Sequence, residues 1–156
     1  MTARITRLAE SDWRVFAVIR LRALVDSLGE RDPQYQKEIG FTAAQWRRRI
    51  RDHAQFAAVA GDRVVGLIAA QQENSDSVYL YSLWLDPAVR GQGLARSLVA
   101  AAVDWARDQR ARTITLRVAT GNAAARAVYE SLGFADAAGS QTVAPRGEVA
   151  MSLSVS

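Results

Sequence analysis

The sequence predicts one mixed α/β domain in the order β-α-α-β-β-β-α-β-α-β-β, a sheet flanked by about four helices. Three observations carry that prediction. The 156 residues, 49% apolar and 23% charged, match the length and composition of a single domain with one sizeable core. Short runs alternate apolar and polar residues at period two, while others repeat apolar residues at helical spacing. No internal repeat, low-complexity tract or long polar linker divides the chain, so residues 1–156 are read as one domain.

Residues 3–8 set Ile5 among polar or basic neighbours and read as an edge strand. Ser11 or Asp12 stands where a helix cap belongs, ahead of Trp13, Phe16, Ile19, Ala23 and Leu24, with the end expected near Ser27 or Gly29. From there to Phe41 the pattern is irregular. Thr42 and Gln45 then form a capping-box pair for a second helix with Trp46, Ile50 and His53 on its inner face. Residues 55–60 and 63–70 are strand-like around a Gly61-Asp62 hairpin turn, and residues 78–85 form a third strand that stops at Asp86-Pro87. Leu94, Leu98, Ala102 and Trp105 continue a helical stripe toward Arg110. Residues 113–118 alternate as a strand, and 122–132 form a helix whose end suits Gly133. Weaker strands over about 135–143 and 148–155 complete the order.

Composition narrows the function. Three Pro, ten Gly and 8% aromatics exclude collagen-like and broadly disordered classes. No apolar run approaches the roughly 18 residues of a membrane helix, and residues 1–10 lack the apolar segment of a secretion signal. A cytoplasmic protein without a membrane partner is expected. The lack of cysteine excludes a disulfide framework, a Cys-based zinc site and a thiol nucleophile, and no metal is expected. The net charge is +4, and Lys37 is the only lysine among 20 basic side chains. The excess is guanidinium, which grips phosphate oxygens in pairs, so the charge suits a phosphate-bearing ligand as well as a nucleic acid.

The most informative segment joins a strand to a helix through Arg90-Gly91-Gln92-Gly93-Leu94-Ala95. Two glycines permit a tight turn with inward-pointing N–H groups, and the helix dipole adds positive character there. Such a turn cradles phosphate or simply connects two elements. There is no G-K-[ST], and Arg96 stands where a dinucleotide fingerprint needs its third glycine. A second segment runs from Gly121 to Phe134, with Asn122, Ala125, Tyr129, Gly133 and Phe134 at fixed spacing.

Together the two segments resemble the GNAT superfamily of N-acetyltransferases. Arg90, Gly93 and Ala95 match its [Q/R]-x-x-G-x-[G/A] acetyl-CoA signature, and the second segment matches its N-x-x-A-x-x-x-Y-x-x-x-G-F helix. The resemblance is strong over residues 65–134 and implies a mostly antiparallel sheet with a splayed central pair, strands 78–85 and 113–118. It implies acetyl-CoA as co-substrate and acetyl transfer to a primary amine of a small molecule or peptide by direct attack. Backbone groups of Leu83, Trp84 and Leu85 would meet the pantetheine arm, and one N–H near Leu85 would stabilise the oxyanion. The amides of Arg90, Gly91, Gln92, Gly93, Leu94 and Ala95 would hold the pyrophosphate, with Arg90, Arg96 and Arg126 reaching outer phosphates. Asn122 would bond the arm or cap its helix. Tyr129 would protonate or hydrogen-bond the leaving thiolate, unless it is a core aromatic on the stripe of Val128 and Leu132.

Many members carry a carboxylate base where this chain has Tyr81 and Ser82. Deprotonation through a water beside Tyr81 is therefore expected, with Glu30, Glu38, Glu73 and Asp76 as unplaced alternatives. His53 reads as a packed or helix-end histidine, and Arg47 to Arg51 as a solvated helix face rather than a nucleic-acid patch. The resemblance places the acceptor against Leu28, Tyr35, Phe41, Trp46 and Tyr81, with Glu30, Asp32 and Glu38 able to attract a cation. Rival readings are a non-catalytic CoA sensor and a basic nucleic-acid-binding module. The expected assembly is a monomer or homodimer.

Overall fold

The computed structural model describes residues 3–137 and 147–155. Its strands are β1 (Ala3–Arg7), β2 (Ala54–Ala60), β3 (Arg63–Gln72), β4 (Ser77–Leu85), β5 (Thr113–Ala119), β6 (Ala135–Asp136) and β7 (Glu148–Ser154). Its helices are α1 (Trp13–Leu28), α2 (Pro33–Glu38), α3 (Ala43–Asp52), α4 (Leu94–Asp108) and α5 (Ala123–Ser131), with 3₁₀ turns at Glu10–Asp12 and Pro87–Val89. The strands form one sheet in the order β1-β2-β3-β4-β5-β7-β6. Every neighbouring pair is antiparallel except β4 with β5.

Both faces of the sheet are covered, and the two-residue period divides the core. Ala58, Ile68 and Leu85 pack with Leu98, Ala102 and Tyr129 of α4 and α5 on one face. Their neighbours Ala57, Leu67 and Trp84 pack with Phe16, Ile19, Trp46 and Ile50 of α1 and α3 on the other. The β2-β3 hairpin turns at Gly61, whose φ of 64° favours glycine. The Thr42 and Gln45 capping box forms as expected, with bonds of 2.8 and 3.2 Å.

Three local expectations change. Asp12 does not cap α1; its carboxylate accepts from Ala9 N at 2.8 Å and closes the preceding turn. The stretch expected to be irregular holds α2, a fifth helix, started by Asp32 accepting from Gln34 N and by Pro33 at the first helical position. The strand expected over 135–143 is observed at Ala135–Asp136, and residues 138–143 lie outside the described residues.

Candidate active site

The parallel pair β4 and β5 stays joined only where Ser77, Val78 and Tyr79 face Thr113, Ile114 and Thr115. Beyond that point the strands part. Against β3, the step from Tyr81 to Trp84 is matched by the shorter step from Ala69 to Leu67, and Ser82 adopts φ 62°. This bulge bends β4 where it leaves its neighbour. The resulting cleft, of about 240 Å³, is lined by Tyr81, Ser82 and Leu83 from β4, Val118 from β5, and Asn122 and Tyr129 from the start and body of the α5 segment. Unpaired backbone edges on both sides offer N–H and C=O groups to an extended amide-bearing chain.

Tyr129 is 7% exposed and packs edge-on to Phe134 at 6.0 Å. Burial, with the neighbouring Tyr79 phenol, pushes its hydroxyl up to about 12. It is thus both a core aromatic and a neutral donor facing the cleft. Asn122 Oδ1 accepts from Ala125 N at 3.1 Å, so Asn122 caps α5, and its carboxamide N–H groups are a separate donor set.

At the far end of β4, Gly91 and Gly93 take φ of 79° and 83°, and Gly93 precedes the first turn of α4. The leading N–H groups of a helix have no intrahelical acceptor, so this turn is a ready anion cradle. A Cβ on either glycine would meet nothing within 4 Å, so the loop faces open space at both positions. Gln92 is exposed, while Leu94 and Ala95 lean on the core.

The three arginines expected at phosphates all have protein partners. Arg90 donates to Leu85 O at 3.1 Å and to Asp26 at 2.8 Å, fastening the loop to β4 and α1. The bonds from Trp84 and Arg90 hold the Asp26 carboxyl below the usual range. Arg96 donates to Ser131 Oγ at 3.3 Å, and Arg126 pairs with Asp136 at 3.0 Å. The Trp84 and Leu85 side chains enter opposite cores, and of the three β4 residues expected along the arm only Leu83 lines the cleft.

Behind Tyr81 and Ser82 lies a partly buried polar network that sequence reasoning missed. Glu38, with no exposed surface, receives Arg20 at 3.0 and 3.1 Å, Arg49 at 3.5 Å, and the Gln34 carboxamide. Burial pushes its carboxyl up, but the Arg20 and Gln34 hydrogen bonds and the two guanidinium charges outweigh it and hold it below the usual range. Arg20 continues to Ser82 Oγ at 3.0 Å, at the bulge itself. Alongside, His53 ends α3 as expected, yet its Nδ1 is hydrogen-bonded to the Tyr81 hydroxyl. Burial and Arg49 push the imidazole down, and burial pushes the Tyr81 phenol up.

The residues expected around an acceptor are dispersed. Tyr81 lines the cleft, Phe41 lies in a neighbouring hollow, Tyr35 borders a surface groove beside Val18 and Trp84, and Leu28 is 55% exposed at the end of α1. Trp46 is buried against Phe16. Glu38 is already paired with arginines, and Asp32 accepts from Gln34 N as the cap of α2.

Comparison with known proteins gives this geometry a family. The model of the acetyltransferase (GNAT) family matches residues 13–134. The chain belongs to that family. The GNAT protein of Streptococcus pneumoniae superimposes with a TM-score of 0.81 at 16% identity, covering 99% of this chain and all of that one. The PaiA N-acetyltransferase of Thermoplasma acidophilum, solved with coenzyme A, gives 0.76 at 15% identity, covering 99% of this chain and 100% of its own. In sequence, the chain is 40% identical to the Escherichia coli K12 ribosomal protein bS18-alanine N-acetyltransferase over 62 residues, 40% of this chain and 42% of that relative. The matched stretch thus spans less than half of this GNAT relative's length. Among the described residues, no helix is long and apolar enough to cross a membrane, and no cluster of three His, Asp or Glu is placed to hold a metal.

Proposed function

We propose that the protein transfers the acetyl group of acetyl-CoA to a primary amine by direct attack inside the β4/β5 cleft. The observation that carries this reading is the cleft itself, which combines open strand edges, an anion cradle at one end of β4 and a buried phenol on its wall. The Gly91 to Arg96 amides and the α4 dipole would take the pyrophosphate, while Leu83, Leu85 and Asn122 would pair with the pantetheine amides. A backbone N–H near Leu85 would stabilise the oxyanion as the amine attacks.

Tyr129 has a limited proton role. A phenol near 12 does not give its proton outright to a thiolate whose thiol titrates at roughly 8.5, so it stabilises the departing sulfur by donating a hydrogen bond. The amine proton has a path on the other wall, through the Tyr81 hydroxyl, directly or by one water, to neutral His53. Holding amine and thioester together supplies much of the remaining acceleration. Relatives named as a ribosomal-protein bS18-alanine N-acetyltransferase and as an N-alpha-acetyltransferase support an amine acceptor.

The test is calorimetric titration with acetyl-CoA, then thiol release across amines, amino acids, aminoglycosides and short peptides. Tyr129→Phe is expected to lower kcat about 100-fold. His53 must be neutral to accept a proton, and its pKa is depressed, so kcat/KM keeps a limb below pH ~6.5 that does not move with the acceptor's own pKa. Tyr81→Phe is expected to remove that limb. Failure to bind acetyl-CoA overturns the reading, and binding without release from any acceptor moves it to a non-catalytic CoA sensor.

A further inference from the structure

A second hollow, of about 290 Å³, lies beside the cleft, with Lys37, Phe41, Arg48, Arg49, Asp52 and His53 on its walls. It borders the cleft through the bond between His53 and Tyr81, whose ring centroids are 5.6 Å apart. Its charge is unbalanced. Glu38 is one carboxylate serving both Arg20 and Arg49, so a guanidinium charge is left over. Lys37 and Arg48 are exposed, and no ion pair engages either among the described residues. Asp52, the only carboxylate among the lining residues, lies 3.7 Å from Arg51, an exposed guanidinium that Glu10 shares, so Asp52 offsets one of the positive charges on the walls and the balance remains cationic. Arg49 is also held over the Phe41 ring at 5.4 Å, so its guanidinium is fixed in place.

We infer that this hollow binds a carboxylate on the acceptor, so that the substrate is an amine that also carries a carboxylate. The inference rests on the acetyl-transfer reading, because the cleft must hold the amine. A guanidinium fork meets a carboxylate through paired N–H···O bonds, and the Lys37 ammonium adds a point charge. A second cation on the acceptor would face Lys37, Arg48 and the surplus of Arg49, with Asp52 the one carboxylate on the walls to oppose them. A carboxylate in this hollow is the opposite of the cation that Glu30, Asp32 and Glu38 suggest in the sequence, and of those three Glu38 is already paired with arginines. A phosphate would meet the same donors, so the two oxyanions are separated by experiment.

Initial rates with acetyl-CoA are compared for β-alanine, propylamine, ethylenediamine and phosphoethanolamine, and for Ala-Glu, Ala-Gln and Ala-Lys amides. The carboxylate member of each set is expected to exceed the neutral one at least tenfold in kcat/KM, mainly through KM. Lys37→Gln with Arg48→Gln, both exposed and outside the core, is expected to bring that ratio below threefold. Arg107→Gln on α4 is expected to leave it unchanged. Glutarate, which lacks an amine, is expected to bind the CoA-loaded protein saturably in calorimetry and to fail with the double variant. Equal rates within a set, preference for the cation, or a ratio untouched by the double variant overturns the proposal, and a tenfold preference for phosphoethanolamine overturns the carboxylate assignment. If none of these acceptors turns over, the glutarate titration decides alone. Glutarate binding without CoA binding sinks acetyl transfer and leaves the anion hollow standing. CoA binding with turnover of neutral amines but no glutarate binding does the reverse.

Discussion

The two walls of the cleft are built by different physics. On the side of α4 and α5, the structure relies on backbone: parted strand edges, two left-handed glycines, a helix start and a capping asparagine. On the side of α1 to α3, it relies on long side chains that meet far from their own positions, with Arg20 reaching Glu38 18 residues away and Ser82 62 residues away. A wall made of backbone suits, in the reading proposed above, what every acyl-CoA shares. A wall made of side chains can be changed one residue at a time, and that is where an acceptor would be chosen.

Breaking the side-chain wall should have the largest effect. Glu38→Ala leaves the Arg20 and Arg49 side chains, 15% and 23% exposed, without their shared carboxylate, and is expected to cost about 3 kcal/mol in denaturant unfolding. Its pH signature has a definite sign. The folded carboxyl titrates below its unfolded value of roughly 4.3, so the stability it contributes is complete above that pH and lost as pH falls through the folded pKa. Unfolding measured between pH 3 and 7 should show this slope in the parent protein, with part of it missing in Glu38→Gln. An unchanged slope would mean that the two arginines draw little from Glu38.

The backbone wall should answer to a smaller insult. Gly66 on β3 faces Leu85, and a Cβ there would stand 2.6 Å from Leu85 Cδ2, 3.0 Å from Trp84 O and 3.2 Å from Leu98 Cδ1. The leucine methyls have some freedom and the carbonyl has little, so Gly66→Ala is expected to cost about 2 kcal/mol by shifting the end of β4. CoA affinity should fall with it, because Leu85 leads into the phosphate loop. A loss of stability with CoA affinity intact would show that the loop is positioned from α4 and Asp26 instead.

The same division explains what the sequence could reveal. Gly91, Gly93, Asn122 and Tyr129 lie in contiguous segments that match the family's motifs, so their proposed CoA roles could be expected through that resemblance, while spacing alone left a plain turn, a helix cap and a core aromatic open. Helix α2 had its signals, Asp32 as cap and Pro33 after it, but six residues offer too little periodicity to outweigh an irregular setting. Glu38 looked like one of several solvated carboxylates because its burial depends on Arg20 and Arg49 arriving from two other helices. The left-handed φ of Ser82 and the contact of His53 with Tyr81 are likewise products of the assembled sheet, with no local pattern to announce them. The splay was available only through family resemblance, since nothing in the alternation of residues 78–85 says where pairing stops.

The smallest effect sharpens the comparison most, because Asn122 stands where the backbone wall borrows a side chain. Its Oδ1 caps α5, and among the described residues no hydrogen bond engages its carboxamide N–H groups, which could meet a ligand carbonyl. Asn122→Asp retains an acceptor for Ala125 N and places negative charge at a helix N-terminus, so stability should stay within about 0.5 kcal/mol of the parent. The donor is lost, however, and one hydrogen bond of about 1 kcal/mol corresponds to roughly fivefold weaker CoA binding in calorimetry. Asn122→Ala should lose both, adding about 1 kcal/mol of instability from the missing cap. If Asp binds CoA as tightly as Asn, the residue serves the helix alone, and the CoA wall is backbone throughout.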